Sequence, residues 1–323
     1  MLFNVLLYYH FTNIQDPKSF VQIHRSFCGD LGIKGRIYIS DEGINGTIGG
    51  TPTQTEAYKA YLKQQTGFTD IEFKEDHCDY VPFAKLVCKV RKEIVALRVD
   101  EELNPAEGGN RLEPEQWRKV LESDEDHVIL DVRNNYEYEI GHFEGALKID
   151  EENFYAFKHW LDRFEWPKEK KVLMYCTGGI RCEKFSVLMK KKGWEDVNQL
   201  HGGIINYGHK EKGKYWNGKC FVFDDRLVVP INPESKDPLA KCAITGEPAD
   251  TYLNCANIDC NKLFICTVEG AKKYDGCCSE DCKYSTKKRP FDPGQPFRPF
   301  RKWYEYFGPE FKEQRKLKAD NTK

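Results

Sequence analysis

The sequence predicts an α/β chain in three parts: a parallel sheet with helices on both faces, an α+β module before it and a small cysteine-rich module after it. Three observations predict this. The apolar run Val172 to Tyr175 leads through a glycine pair into a helical stretch ending near Lys192, which is the signature of a buried parallel strand and its following helix. Residues 1–95 alternate strand and helix signals in the order βαββαβ. Seven of the 13 cysteines fall between Cys242 and Cys282.

Taken in order, Leu2 to Tyr9 is apolar and strand-like, and Phe20, Ile23, Phe27 and Leu31 mark one helical face beginning at Asp16-Pro17. Ile33 to Ile39 and Ile44 to Ile48 alternate as strands. A helix follows Thr51-Pro52-Thr53 over Glu56 to Gln65, and Ile71 to Lys74 closes the series as a short strand. This order is ferredoxin-like (acylphosphatase-like). Between the two middle strands lies Asp41-Glu42-Gly43-Ile44-Asn45-Gly46-Thr47; a hairpin explains its glycines and asparagine but not its acidic pair. Residues 96–113, with Asn104-Pro105 and Gly108-Gly109, read as a linker. Pro114 opens a helix and the central domain, expected over 114–219, and the cysteine-rich module is expected over 220–323, starting with a strand at Phe221 to Phe223.

The 323 residues are enough for two or three domains. Hydrophobic residues make up 40% of the chain, mean hydropathy is −0.66, and no apolar run approaches the roughly 20 residues that span a bilayer. The first residues, MLFNVLLYYHF, lack a basic leader and a small-residue cleavage site. An odd number of cysteines without a secretion signal favours a reducing, cytoplasmic setting with reactive or metal-bound thiols over a disulfide framework. Net charge is −2, unevenly spread: residues 283–323 carry +7 and the remainder −9. That basic tail is interleaved with Phe291, Phe297, Phe300, Trp303, Tyr304, Tyr306, Phe307 and Phe311. Cations neutralise phosphates and flat rings stack on unpaired bases, so the tail is expected to contact RNA unless its rings simply pack it onto the body.

Cys176 stands where the Val172 to Tyr175 strand ends, ahead of Gly178, Gly179 and Arg181. A tight loop at a helix N-terminus presents backbone N–H groups that stabilise an anion, and a thiolate held there becomes a competent nucleophile. A buried structural cysteine would need neither the glycine pair nor the arginine. Four residues, Thr177, Gly178, Gly179 and Ile180, separate Cys176 from Arg181, and Cys182 follows on the first helical turn. This loop resembles the active-site loop of rhodanese domains, which carry sulfur as a cysteine persulfide; phosphatases on a related scaffold place one more residue between Cys and Arg. The series Asp131-Val132-Arg133, Glu137, Gly141-His142, Gly145-Ala146 and the later Gly202-Gly203 turn with Tyr207 also resemble rhodanese segments, in the same order. The implied fold is a rhodanese-like parallel sheet with helices on both faces.

Asp131 and Glu137 are candidate partners for Arg181 or Arg133, pinning the loop by bidentate hydrogen bonds, or else forming surface ion pairs worth little. His142 reads as a capping or packing residue rather than a base. In the third part, Cys255-x4-Cys260 and Cys278-x3-Cys282 offer four thiolates of the kind structural zinc takes, with Cys242, Cys266 and Cys277 in reserve; the alternative is a set of free thiols in a small cysteine-rich module.

Over nearly its whole length the chain resembles the bacterial tRNA uridine(34) hydroxylases. The motifs that carry this are Glu42-Gly-Ile-Asn-Gly-Thr47, Asp131-Val-Arg-Asn134, Cys176-Thr-Gly-Gly-Ile-Arg-Cys-Glu-Lys184, Asn254-Cys255-Ala-Asn257 and the Cys277-Cys278-Ser279 segment with Cys282. The resemblance implies oxygen-dependent conversion of the wobble uridine to 5-hydroxyuridine, with Cys176 as the active-site residue, tRNA as partner through its anticodon loop, molecular oxygen as co-substrate and no organic cofactor. Two routes are open: addition of the Cys176 thiolate to uracil C6, or carriage of oxygen or sulfur on Cys176 itself, with Cys182 resolving. The alternatives are a persulfide or thiosulfate sulfurtransferase, which the loop alone supports equally, and a non-catalytic adaptor whose loop binds an anion.

Overall fold

The computed structural model describes residues 2–151, 153–235 and 237–297. It divides into two compact units, Met1–Lys236 and Asp237–Lys323. The first begins with β1 (Phe3–Phe11), α1 (Pro17–Asp30), β2 (Lys34–Ser40), β3 (Gly43–Gly50), α2 (Pro52–Lys63), β4 (Phe73–Cys78) and β5 (Leu86–Val90). Their sheet runs β4-β1-β3-β2-β5, with β1 antiparallel to both β3 and β4, and β5 parallel to β2. The first four strands and two helices give the ferredoxin-like order expected from the sequence. The fifth strand was not expected: Leu86–Val90 is short, and Lys85, Lys89 and Arg91 hide its alternation.

Local chemistry sets these elements. The Asp16 side chain accepts from the Lys18 and Ser19 amides ahead of Pro17, and Thr51 and Gln54 form a capping box at α2. Leu6 and Tyr8 of β1 join Ile37, Ile39, Ile44 and Ile48 in a core closed by Val21, Cys28, Tyr58 and Leu62 of the helices. A β-carbon at Gly46 would lie 2.2 Å from Tyr8 Oη, and one at Gly43 would lie 2.1 Å from the His10 carbonyl, so the hairpin glycines are packing requirements. With the helices on one face, Val5, Leu7 and Tyr9 of β1 point from the other.

The central part comprises β6 (Asn110–Leu112), α3 (Pro114–Leu121), β7 (His127–Asp131), α4 (Asn135–Ile140), β8 (Gly141–Phe143), β9 (Leu147–Lys148), α5 (Phe157–Asp162), β10 (Lys171–Tyr175), α6 (Ile180–Lys191), β11 (Val197–Leu200), α7 (Gly203–Glu211), β12 (Trp216–Phe221) and β13 (Val228–Pro230). Its sheet, β6-β11-β10-β7-β9, is wholly parallel. Side chains of β10 alternate between two cores: Val172 and Met174 meet Phe185 and Leu188 of α6, while Leu173 and Tyr175 meet Trp117 of α3 and Ile204 of α7. The segment 96–113, expected as linker, contributes the edge strand β6; three residues are too few to show a periodicity. The boundary expected between 219 and 220 falls inside β12, which pairs with β8 and β13; the strand expected at Phe221 to Phe223 ends at Phe221, its body lying earlier, from Trp216.

In the second unit, β14 (Tyr252–Asn254) and β15 (Leu263–Ile265) form an antiparallel pair, followed by α8 (Val268–Lys273) and α9 (Glu280–Lys283). The tail from 298 onward, including Phe300, Trp303, Tyr304, Tyr306, Phe307 and Phe311, lies outside the described residues. Among the described residues no helix is long and apolar enough to cross a membrane.

Candidate active site

Cys176 leaves β10 on the α6 side, in line with Val172 and Met174. Gly179, at φ +101°, turns the chain into α6. Its amide lies 3.1 Å from Cys176 Sγ, and the Arg181 amide also donates to the sulfur. The loop is held from below by α7: the Ile204 amide donates to the Cys176 carbonyl at 3.0 Å and the Ile205 amide to the Thr177 carbonyl at 3.2 Å. A β-carbon at Gly203 would lie 2.5 Å from the Cys176 carbonyl oxygen, which explains the glycine turn noted in the sequence.

Burial alone would push the Cys176 thiol up. The Cys182 S–H, the Arg181 guanidinium and the Arg181 and Gly179 amides outweigh it and bring the thiol down to about 5. Cys182, buried beside that thiolate, is pushed up and stays a thiol donor. The nest therefore separates two neighbouring cysteines into an anion and its hydrogen-bond donor.

The two acidic residues flagged with the loop divide their work. Glu137 takes both amino nitrogens of Arg181 at 2.7 Å and accepts from Thr177 Oγ1 at 3.2 Å. Asp131 pairs instead with Arg133, at 2.8 and 2.6 Å, and accepts from Tyr175 Oη at 2.7 Å; Arg133 also donates to the Gly141 carbonyl. Asp131 and Arg133 are fully buried and tie β7 to β8 and β10, so they brace the strands rather than touch the thiol. His142 stacks on Tyr138 at 3.9 Å and bonds its carbonyl, a packing role. Ile180 is the loop residue that is only partly buried.

The ferredoxin-like sheet covers this loop. A β-carbon at Gly178 would lie 2.9 Å from Leu7 Cδ2, and one at Gly179 would lie 2.9 Å from Tyr9 Oη. Cys176 is accordingly only 1% exposed. Tyr9 Oη donates to Glu183 at 2.9 Å, and Glu183 also binds Arg111 and Gln199. Lys184 meets both Glu42 and Glu93 at 2.8 Å, and Glu42 accepts from the Ile94 amide. The acidic residue that a hairpin left unexplained is thus a latch onto α6. Lys74, paired with Leu7 across β4 and β1, is buried with its ammonium 4.8 Å from the Tyr9 ring centre. It lines a cleft of about 410 Å³ with Tyr9, Arg111, Glu183 and His201, and a chamber of about 30 Å³ with Leu7 and Thr177. Tyr9, Lys74, Glu183 and Lys184 escaped the sequence reading as site neighbours. The Glu-Lys pair directly after Cys182 was the one signal available; apart from Gln199, its partners Arg111, Glu93, Glu42 and Tyr9 lie about 70 to 175 positions away.

In the second unit, Cys255, Cys260, Cys278 and Cys282 converge with all four Sγ atoms within 4.8 Å of one another. Two of the separations, 3.7 and 3.9 Å, match the roughly 3.8 Å edge of a sulfur tetrahedron with 2.3 Å bonds to zinc. Cys242 and Cys266 pair with each other at 3.8 Å, apart from that set.

Three segments match known families: residues 3–94 the UPF0176 acylphosphatase-like domain, 113–210 the rhodanese-like domain and 217–283 the rhodanase C-terminal region. The chain is 44% identical to the tRNA uridine(34) hydroxylase of Bacillus licheniformis over 285 residues, 87% of this chain and 88% of that one. It is likewise 44% identical to the tRNA uridine(34) hydroxylase of Bacillus thuringiensis over 291 residues, 89% of this chain and 91% of that one. Among solved structures, it is similar to the Alr3790 protein from Anabaena, at 25% identity over 33% of this chain and 91% of that one, with a TM-score of 0.29. A rhodanese-like domain protein from Staphylococcus aureus is 21% identical over 30% of this chain and 90% of that one, with a TM-score of 0.27.

Proposed function

The chain belongs to the tRNA uridine(34) hydroxylase family, and on that premise we propose that it hydroxylates C5 of uridine 34 in tRNA, using molecular oxygen and the Cys176 thiolate as covalent catalyst. The observation that carries the reading is the amide nest, closed by Arg181 and Cys182, that keeps one sulfur ionised at neutral pH. The wobble base lies in a single-stranded loop, so no duplex has to be opened.

The chemistry follows from that sulfur. Cys176 Sγ bonds to uracil C6, and the C5–C6 π pair moves onto C5 and O4. The C5 pair attacks one oxygen of hydrogen peroxide, formed when a thiol-class reductant gives dioxygen two electrons and two protons. The O–O bond breaks, C5 gains OH and the other oxygen leaves as hydroxide, which takes up the C5 proton as water. The C5 proton leaves, its pair restores the C5–C6 double bond, and the S–C6 bond breaks to return the thiolate. Overall, uridine, O2, two electrons and two protons give 5-hydroxyuridine and water, with a thiol-class reductant supplying the electrons and protons. Cys182 donates its S–H toward the Cys176 sulfur while that sulfur is a thiolate; a Cys176 oxidised to sulfenic acid condenses with Cys182 to a disulfide and water, and the thiol-class reductant returns both thiols. Because Leu7 and Tyr9 cover the loop, they shift before a base reaches Sγ. The four cysteines of the second unit are proposed to hold one structural zinc ion.

A covalent adduct between Cys176 and a 5-fluorouridine-34 tRNA, absent in Cys176→Ser, tests the thiolate route. Loss of 5-hydroxyuridine from cellular tRNA on deleting the gene tests the activity. Persulfide labelling of Cys176 by thiosulfate with unchanged tRNA nucleosides would replace both with sulfur transfer.

A further inference from the structure

The face of the ferredoxin-like sheet that covers Cys176 continues past it. Strand register places Lys74, Leu7, Thr47, Arg36 and Val87 in one row across β4, β1, β3, β2 and β5. The neighbouring row runs Tyr9, Asn45, Tyr38 and Lys89. At one end Leu7 and Tyr9 pack on Gly178 and Gly179. At the other end Arg36 and Lys89 are exposed and Tyr38 is half-buried. With strands roughly 4.8 Å apart, Tyr38 stands about 10 Å from Tyr9 and Lys89 about 15 Å from it.

The charge on this open half is unbalanced. Lys59, Arg118, Lys171, Lys184 and Arg226 each hold two carboxylates. Among the described residues, Lys34, Arg36, Lys85, Lys89, Arg91 and Lys92 have no carboxylate within 4.0 Å. The β2–β5 edge of the sheet, with the residues flanking β5, thus carries five cations without an ion-pair partner, while Lys92 faces a cleft it shares with Asp41, Glu42 and Glu93. One aromatic ring sits among them: the Arg91 guanidinium lies 4.7 Å from the Tyr38 ring centre. A cation–ring stack on an open sheet is a platform that an unpaired base extends.

We propose that Arg36, Tyr38, Lys89 and Arg91 form the seat of the tRNA anticodon loop, the cations on phosphates flanking the delivered nucleotide and Tyr38 stacked on a neighbouring unpaired base. This rests on the reading that uridine 34 is brought to Cys176. Between the seat and the thiol the row passes Asn45, whose side-chain amide donates to the Ile94 carbonyl at 2.9 Å, so the Ile94 segment moves together with Leu7 and Tyr9 when one bound loop spans both. Exposed side chains of this kind change binding without entering the core, and their charge is read directly in the salt dependence of affinity.

The test uses the full chain and a labelled anticodon stem-loop with uridine at 34, titrated by fluorescence anisotropy at several salt concentrations. R36E/K89E/R91E is expected to weaken binding at least tenfold and to flatten the slope of log Kd against log salt by roughly 2, about 0.7 for each lost phosphate contact. R36K/K89R/R91K is expected to bind as the parent does. Tyr38→Ala is expected to lose roughly tenfold, with Tyr38→Phe close to the parent. The rate of Cys176 alkylation by iodoacetamide stays the same in all of them, showing the site intact. Unchanged affinity and slope in the triple reversal would overturn the proposal. Equal losses on a blunt RNA duplex would also overturn it, leaving a general polyanion surface. Full hydroxylation by Cys176→Ser would sink the thiolate reading instead and leave this surface standing.

Discussion

Glu137 holds Arg181 through two parallel hydrogen bonds of 2.7 Å each, and the carboxylate is wholly buried. Burial raises the Glu137 carboxyl, yet the two guanidinium groups of Arg181 and Arg133 bring it below the usual range. Glu137→Gln keeps the shape and removes the charge, leaving a buried guanidinium without its partner. A loss of about 3–5 kcal/mol is expected, read as a lower urea midpoint. A midpoint equal to the parent's would show that water already reaches Arg181.

The ionised thiol gives a pH signature. Cys176 is lowered to about 5, so its alkylation rate in the native protein should rise through pH 5 and level off above pH 6. Cys220, which burial pushes up to about 12, should stay unmodified over the same range. Arg181→Gln removes the cation from the nest and should move the Cys176 titration upward by at least a unit. Mass-spectrometric counting of carbamidomethyl groups against pH checks this; a parent titration between 8 and 9 would refute the nest.

Much of this site was readable because its chemistry is local. Cys176, Gly179, Arg181 and Cys182 lie within one turn and one helix start, and the chain states their order directly. The pairing of Glu137 with Arg181 and Asp131 with Arg133 was open between two assignments, since spacing does not say which guanidinium a carboxylate meets. The cover over the thiol was not readable. Leu7 and Tyr9 belong to a strand about 170 residues earlier, and their alternation predicts a buried face without naming its partner. Glu42 shows the same limit from the other side. It stood out as unexplained, and only the fold brings Lys184 to it. The edge strands β5 and β6 were lost because short strands carry too few residues to display a period.

The Glu42–Lys184–Glu93 latch fastens the ferredoxin-like sheet to α6 beside the loop. Lys184→Gln releases both carboxylates while keeping length and polarity. Opening of the cover should become easier, and Cys176 alkylation at pH 7 should speed up by about three- to tenfold, as a contribution of roughly 1 kcal/mol implies. Stopped-flow labelling of Cys176 measures it. A rate equal to the parent's would mean that Leu7 and Tyr9 alone hold the cover shut.

His24 sets the acid limit of the first module. Its imidazole is fully buried against Phe20 and Tyr58, and burial lowers it to about 4. The unfolded chain takes up this proton near pH 6.5, the folded chain only near 4. Stability from this group is therefore complete above pH 6.5 and falls as pH drops toward 4, by roughly 3 kcal/mol in all. His24→Gln should flatten the dependence of Tm on pH between 6.5 and 4. An unchanged slope would show that another group titrates there.

The four-cysteine cluster of the second unit makes the sharpest demand on solution chemistry. Four thiols within 4.8 Å share a handful of hydrogen-bond donors: the Cys278 and Asn257 backbone amides serve Cys255, and the Asn257 and Ser279 side chains serve Cys282. Left as thiols, they would form a small polar cluster with little reason to keep tetrahedral spacing. Zinc binding ionises all four sulfurs and couples their geometry to folding. One zinc per chain is expected by elemental analysis of protein purified without added metal. Cys278→Ser should abolish that stoichiometry and lower the Tm, while Cys266→Ser should leave the zinc in place. Metal-free protein with the parent's Tm and near-ultraviolet dichroism would show that the sulfurs converge for packing alone.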